Sequence, residues 1–140
     1  MSGLFLEDLT VGQSAEVSRE VGAADIDAFA AVSGDHNPVH LDEAFAATTR
    51  FGGRIAHGML SASWISALIA SRLPGPGAIY LSQTLKFLRP VRIGDAVTTR
   101  AEITAIDPGK ARVTLATTCK VGDQTVLTGE AVILAPRKGD

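Results

Sequence analysis

The sequence predicts an α+β protein in which an antiparallel sheet curls around one central apolar helix. Three observations carry that expectation. Residues 57–72 hold no charged side chain before Arg72, apart from His57 at the start, and are apolar nearly all round. A helix of that kind must be covered by protein on nearly every side. Four alternating segments follow it, at 79–88, 96–106, 111–121 and 125–134, and alternation marks strands with one buried face. The turn sequences Asp107-Pro108-Gly109-Lys110 and Gly122-Asp123 join the last three as antiparallel neighbours.

The elements follow in chain order. Residues 13–21 alternate, with Ala15, Val17 and Val21 opposite Glu16, Ser18 and Glu20, which predicts a strand. Residues 25–33 switch to helical spacing. There Ile26, Phe29 and Ala30 share a face, and Asp25 and Asp27 suit the positive end of the helix. Asp42 is placed to cap a short helix over 43–50. Pro38 opposes a regular helix interior, so the stretch before Asp42 reads as a loop between two helices. The apolar helix ends at Arg72, and Leu73-Pro74-Gly75 stops it. It is too short to span a bilayer. A sheet wound round such a helix is the hot-dog arrangement. The alternative is an α+β sandwich with the helix on one open face, its outer side covered by a second copy. No linker or repeat divides the chain, so residues 1–140 read as a single domain.

Composition narrows the function classes. The chain has 140 residues, 46% hydrophobic and 20% charged, which is a globular and not a disordered balance. A net charge of -2 argues against a nucleic-acid binder. Cys119 is the single cysteine, so no intramolecular disulfide is available. The first residues, Met1 to Asp8, lack the basic region of a signal peptide. The expectation is a soluble cytoplasmic protein with no membrane partner.

All three histidines lie between positions 36 and 57. The first two sit in Ser33-Gly34-Asp35-His36-Asn37-Pro38-Val39-His40-Leu41-Asp42. Asp, Asn and Pro build turns, so one reading is a capping loop with solvent-facing histidines. A second is a metal site drawn from His36, His40, His57, Asp35 and Asp42. A third is an acid/base pair formed by Asp35 and His40. Cys119 as a nucleophile is weaker, because its place in an alternating strand reads as core. His57-Gly58-Met59-Leu60 opens the apolar helix. A helix start offers free backbone N–H groups, and a glycine there lets a ligand oxygen come close. Such an N–H would hold the enolate-like oxygen that forms when a nucleophile adds to a conjugated thioester. Residues 44–94 contain no acid and carry a net charge of +6 from Arg50, Arg54, Arg72, Lys86, Arg89 and Arg92. That block suits the phosphates of coenzyme A or an acidic carrier protein; the alternative is ordinary solvated side chains.

These residues resemble the MaoC-like dehydratase family, specifically its single-domain (R)-specific enoyl-CoA hydratases. The matching pieces are Asp35-His36-Asn37-Pro38-Val39-His40-Leu41-Asp42, Phe45-Ala46 to Phe51, His57-Gly58-Met59-Leu60, and Tyr80-Leu81 to Phe87 leading into Pro90-Val91. The resemblance implies a hot-dog homodimer that converts trans-2-enoyl-CoA to (R)-3-hydroxyacyl-CoA. It implies Asp35 and His40 as the catalytic dyad and Gly58 as the amide donor to the thioester oxygen. Ser66 matches a family serine near the dyad, and Asn37 matches the motif as a residue that holds the loop. Ile69, one helical turn from Ser66, is expected to limit acyl chain length. No metal and no cofactor are expected beyond the coenzyme A of the substrate. A hot-dog acyl-CoA thioesterase and a non-catalytic partner subunit of an acyl-carrier dehydratase are the competing functions.

Overall fold

A computed structural model describes residues 3–140. Met1 and Ser2, part of the N-terminal stretch read above, lie outside the described residues. The elements are a short 3-10 turn at Leu6–Asp8, then β1 (Ser14–Glu20), α1 (Ala23–Ser33), α2 (Pro38–Leu41), α3 (Glu43–Ala47), α4 (Gly58–Ser71), β2 (Ile79–Gln83), β3 (Lys86–Phe87), β4 (Ala96–Asp107), β5 (Arg112–Val121) and β6 (Gln124–Leu134). One antiparallel sheet runs β1-β4-β5-β6-β2, and β3 also pairs with β6. It wraps α4 in the expected hot-dog arrangement.

Alternation supplies the inner face of the sheet. Val97, Thr99, Ala101 and Ile103 on β4 are buried, as are Val113, Leu115, Thr117 and Cys119 on β5. Thr99 lies opposite Cys119, Cys119 opposite Leu127, and Leu115 opposite both Ile103 and Ala131. Against this surface α4 sets Leu60, Ser61, Trp64, Ile65, Leu68 and Ile69. Burial of such side chains is worth about 1.5–3 kcal/mol each, and this layer holds most of the core. No helix among the described residues is long and apolar enough to cross a membrane.

The structure corrects three expectations. Only one face of α4 is covered by the chain itself. Met59, Ser63, Ser66, Ala67 and Ala70 are exposed. Apart from Met59 these are small residues, which score as apolar or neutral in a sequence yet leave little surface to bury. Secondly, Pro38 begins a helical turn and does not merely break one. It stands at the first position of α2, where its missing N–H costs nothing, and the Asn37 side chain caps the turn by accepting from Val39 N–H at 3.2 Å. Thirdly, the segment 79–88 is two strands. Between them the Thr84 N–H donates to the Glu130 carbonyl at 2.9 Å, and the Thr84 hydroxyl accepts from Glu130 N–H at 2.9 Å. The expected helix over 43–50 is present as α3, and Asp42 caps it by accepting from Phe45 N–H at 3.0 Å. Asp25 caps α1 by accepting from Gly22 N–H at 2.9 Å. That bond first, and the Arg19 guanidinium second, hold its carboxyl below the usual range.

Two predictions come from the β2–β6 edge. A Cβ at Gly129 would lie 1.9 Å from the Thr84 carbonyl oxygen. Gly129→Ala is expected to lower stability by about 1–3 kcal/mol, read as a shift of the urea midpoint; an unchanged midpoint contradicts the close approach. Tyr80 is the single tyrosine of the chain, and desolvation pushes its phenol up to about 12. Titration of tyrosinate absorbance therefore reads Tyr80 alone and should show a midpoint near 12, with stability falling as pH rises from about 10 toward that value. A midpoint at the ordinary phenol value contradicts the half-buried ring.

Candidate active site

The loop from Asp35 to Leu41 is short and exposed on one side, so its own hydrogen bonds cannot fix it. The Asp35 N–H donates to the Ser33 hydroxyl at 3.1 Å, and the Asp35 carboxylate accepts from Asn37 N–H at 3.2 Å. Stronger restraint comes from the segment 54–57, which leads into α4. Ile55 N–H donates to the Val39 carbonyl at 3.3 Å. The Arg54 side-chain Nε donates to the His40 carbonyl at 2.6 Å. His40 Nδ1 lies 2.8 Å from the Ile55 carbonyl, and His57 Nε2 lies 3.0 Å from the Asp35 carbonyl. Carbonyls only accept, so both ring nitrogens carry hydrogen in these bonds.

One donor atom each from Asp35, His40 and His57 falls within 4.8 Å of the other two. His57 is 2% exposed and stacks on His40, with ring centroids 3.9 Å apart and planes 27° apart. Phe29 closes its other side at 4.9 Å. A cluster of this composition has to be weighed as a metal site. Here the ring geometry opposes chelation by both imidazoles at once. One nitrogen of each ring is already bonded to a carbonyl, and lone pairs lie in the ring planes. Stacked rings therefore keep their remaining lone pairs in two separate, nearly parallel planes.

Gly58 follows His57 as the first residue of α4. No hydrogen bond among the described residues uses its N–H, and the positive end of the helix dipole lies there. The Phe87 ring covers it so closely that a Cβ at 58 would meet ring carbons at 2.6 Å. His40, His57, Gly58 and Phe87 line a cavity of about 380 Å³, together with Arg50 and Arg89 at its charged side. A second groove of about 460 Å³ runs along the uncovered face of α4, lined by Phe29, Ser63, Ser66, Tyr80 and Gln83. Met59 borders both.

The other site residues fall differently. Asn37 spends its side-chain oxygen on the cap of α2. Ser66 lies in the groove, outside the cavity that holds His40. Ile69 is 1% exposed and packed in the core, and it lines neither space; its i, i+3 spacing from Ser66 does not bring it to the same surface. His36 is exposed and outside the cluster. Cys119 is buried, and burial pushes its thiol up, as suits a core residue. Of the six basic residues in 44–94, Arg54, Arg72 and Arg92 hold backbone carbonyls, which leaves Arg50, Lys86 and Arg89, and of these Arg50 and Arg89 line the cavity. In the sequence His57 reads as a helix start and as one of several candidate metal ligands, not as a residue that positions the loop. Its burial was the missing signal, and only the fold reveals it.

Known proteins share this architecture. A MaoC-like domain model matches residues 8–125. The chain is 51% identical to a 3-hydroxybutyryl-CoA dehydratase of Methylorubrum extorquens, over 96% of this chain and 86% of that one. It is 50% identical to an (R)-specific enoyl-CoA hydratase of Rhodospirillum rubrum, over 96% and 94% of the two chains. The unliganded R-hydratase structure of Pseudomonas aeruginosa superposes with a TM-score of 0.92 at 51% identity, covering 96% of this chain and 87% of that one. The matched region includes the Asp35–His40 loop, all of α4 and most of the sheet, and the chain belongs to the MaoC-like domain family.

Proposed function

We propose that this protein is an (R)-specific hydratase that adds water to a trans-2-enoyl-CoA to give an (R)-3-hydroxyacyl-CoA, and catalyses the reverse dehydration. The observation that carries the proposal is the approach of the Asp35 carboxylate and the His40 imidazole, within 4.8 Å, with His40 lining the same cavity as Gly58, whose amide opens α4. Relatives bearing hydratase and dehydratase names at about half identity support it.

In this reading a water sits between Asp35 and His40 Nε2. The Asp35 carboxylate accepts a proton from the water as its oxygen bonds to Cβ. Electrons of the C=C bond move toward the thioester carbonyl, whose oxygen the Gly58 N–H stabilises. The proton taken up by Asp35 passes to the unprotonated His40 Nε2, which delivers it to Cα on the same face. The pair thus ends each turn as it began. Asn37 keeps the loop shaped and does not touch the reacting atoms. No metal or separate cofactor enters, since coenzyme A is part of the substrate. The phosphates approach Arg50 and Arg89, and the acyl chain lies in the groove past Met59 toward Ser66.

A homodimer belongs to the same proposal. Ile79, Tyr80 and Leu81 are exposed on edge strand β2, Phe87 and Leu88 are exposed beside it, and one face of α4 is uncovered. A second copy would cover this surface. Sedimentation should therefore give about 29 kDa, twice the chain mass, as expected for the commonest closed symmetry. A species of single-chain mass contradicts this.

Crotonyl-CoA is the test substrate. Loss of enoyl absorbance without release of free thiol is expected; release of thiol would instead indicate a thioesterase. Asp35→Asn and His40→Ala should each lower kcat by roughly 10²–10⁴-fold while both remain folded. Normal hydration by both removes the dyad assignment. Arg50→Ala with Arg89→Ala should raise KM for crotonyl-CoA by about tenfold with little change in kcat, an effect that salt weakens. An unchanged KM places the phosphates elsewhere. Ser66→Phe should favour short over long enoyl chains, and an unchanged chain-length profile counts against the groove.

A further inference from the structure

We propose that His57 is a positioning residue for this hydration, acting through the Asp35 backbone, and that it forms an opposite-tautomer pair with His40. The inference rests on the hydratase reading for its kinetic part and on geometry alone for its tautomer part.

The ring is almost wholly buried, at 2% exposure, yet Nδ1 has no hydrogen-bond partner. A buried polar atom without a partner is costly, and its retention calls for a reason. The other ring nitrogen supplies one. Nε2–H donates to the Asp35 carbonyl at 3.0 Å, the one bond from the α4 side that grips the residue bearing the carboxylate. The remaining ties from 54–57 reach Val39 and His40. His57 is also joined covalently to Gly58, whose amide opens the helix. A single side chain thus sets the distance between the carboxylate and the amide that must act on one substrate.

The tautomers follow from the partners. His57 carries its hydrogen on Nε2, because a carbonyl faces that atom, and leaves Nδ1 as a bare lone pair. A hydrogen on Nδ1 would be buried without an acceptor. His40, which lines the cavity, does the reverse, with Nδ1–H on the Ile55 carbonyl and Nε2 left without hydrogen. The two rings stack at 3.9 Å, so His57 also backs the plane of His40 and fixes where Nε2 points. Phe29 on the far side leaves the His57 ring no room to swing.

Glutamine and asparagine separate the hydrogen bond from the ring. A glutamine amide nitrogen reaches the place of Nε2, whereas that of asparagine reaches only the place of Nδ1. Both remove the stack. His57→Asn is expected to lower kcat for crotonyl-CoA by about tenfold to a hundredfold with KM little changed, since a small displacement of a catalytic group is that costly. His57→Gln should recover most of the loss. Equal losses in both variants, no loss in either, or a loss confined to KM would overturn the proposal.

If neither variant folds, the unmodified protein still decides the matter. Long-range proton–nitrogen NMR of the three imidazoles should show His57 as the Nε2–H form and His40 as the Nδ1–H form. A hydrogen on His57 Nδ1 would overturn it. A protein inert toward crotonyl-CoA would remove the hydratase reading alone, because the tautomer measurement does not depend on turnover.

Discussion

The site depends on hydrogen bonds between two stretches of chain that are far apart in sequence. The loop at 35–41 carries the proposed acid and base, Asp35 and His40, and the segment 54–57 holds it by four bonds, two to backbone from Arg54 and Ile55 and two through imidazole rings. Each such bond contributes about 1 kcal/mol net, but leaving its partner unpaired costs more. The four-residue α2 is far too short to be stable alone. Its geometry is borrowed from 54–57, which is itself fastened to the sheet side by Ala56 N–H on the Val91 carbonyl at 2.7 Å and by pairing of Ile55 with Arg92. From there the chain runs directly into α4 and the core. The positions of exposed catalytic candidates are thus set by buried packing.

The division of α4 into two faces follows from side-chain size. Large residues sit on the sheet, and small ones line the groove. The large face supplies stability, and the small face leaves a channel that starts at Met59, where the cavity of His40 and the groove of Ser66 adjoin. The cationic side belongs to Arg50 and Arg89, and the groove is mostly apolar. A thioester with a charged carrier at one end and a hydrocarbon at the other matches that polarity.

Much of this was legible in the sequence. Strands at β4, β5 and β6 follow from strict alternation, and α4 from an uncharged stretch bounded by Gly58 and Arg72. Asp35 and His40 stand out because a proline turn places a carboxylate and an imidazole close together, and Gly58 because it opens a helix. Other features depend on three-dimensional context. Nothing local distinguishes Ile69 in the core from Ser66 in the groove, since both lie on one uncharged helix. Pro38 was read as a break because the cap from Asn37 is a matter of geometry. Arg54 was counted with the phosphate-binding charges, but it is held by the His40 carbonyl and pairs with Asp27 at 2.9 Å. His57 reads in the sequence as a helix boundary and a candidate metal ligand; its burial against Phe29 and His40 exists only once the helices have packed.

The central claim is that acid and base act from one face of the substrate, over the amide that opens α4. Hydration of crotonyl-CoA in deuterated water tests this most directly, because the deuterium added at Cα records the face of proton delivery relative to the new hydroxyl. The account predicts (R)-3-hydroxybutyryl-CoA with hydroxyl and deuterium added syn, read from the proton coupling between Cα and Cβ. Anti addition, or product of S configuration, would contradict it.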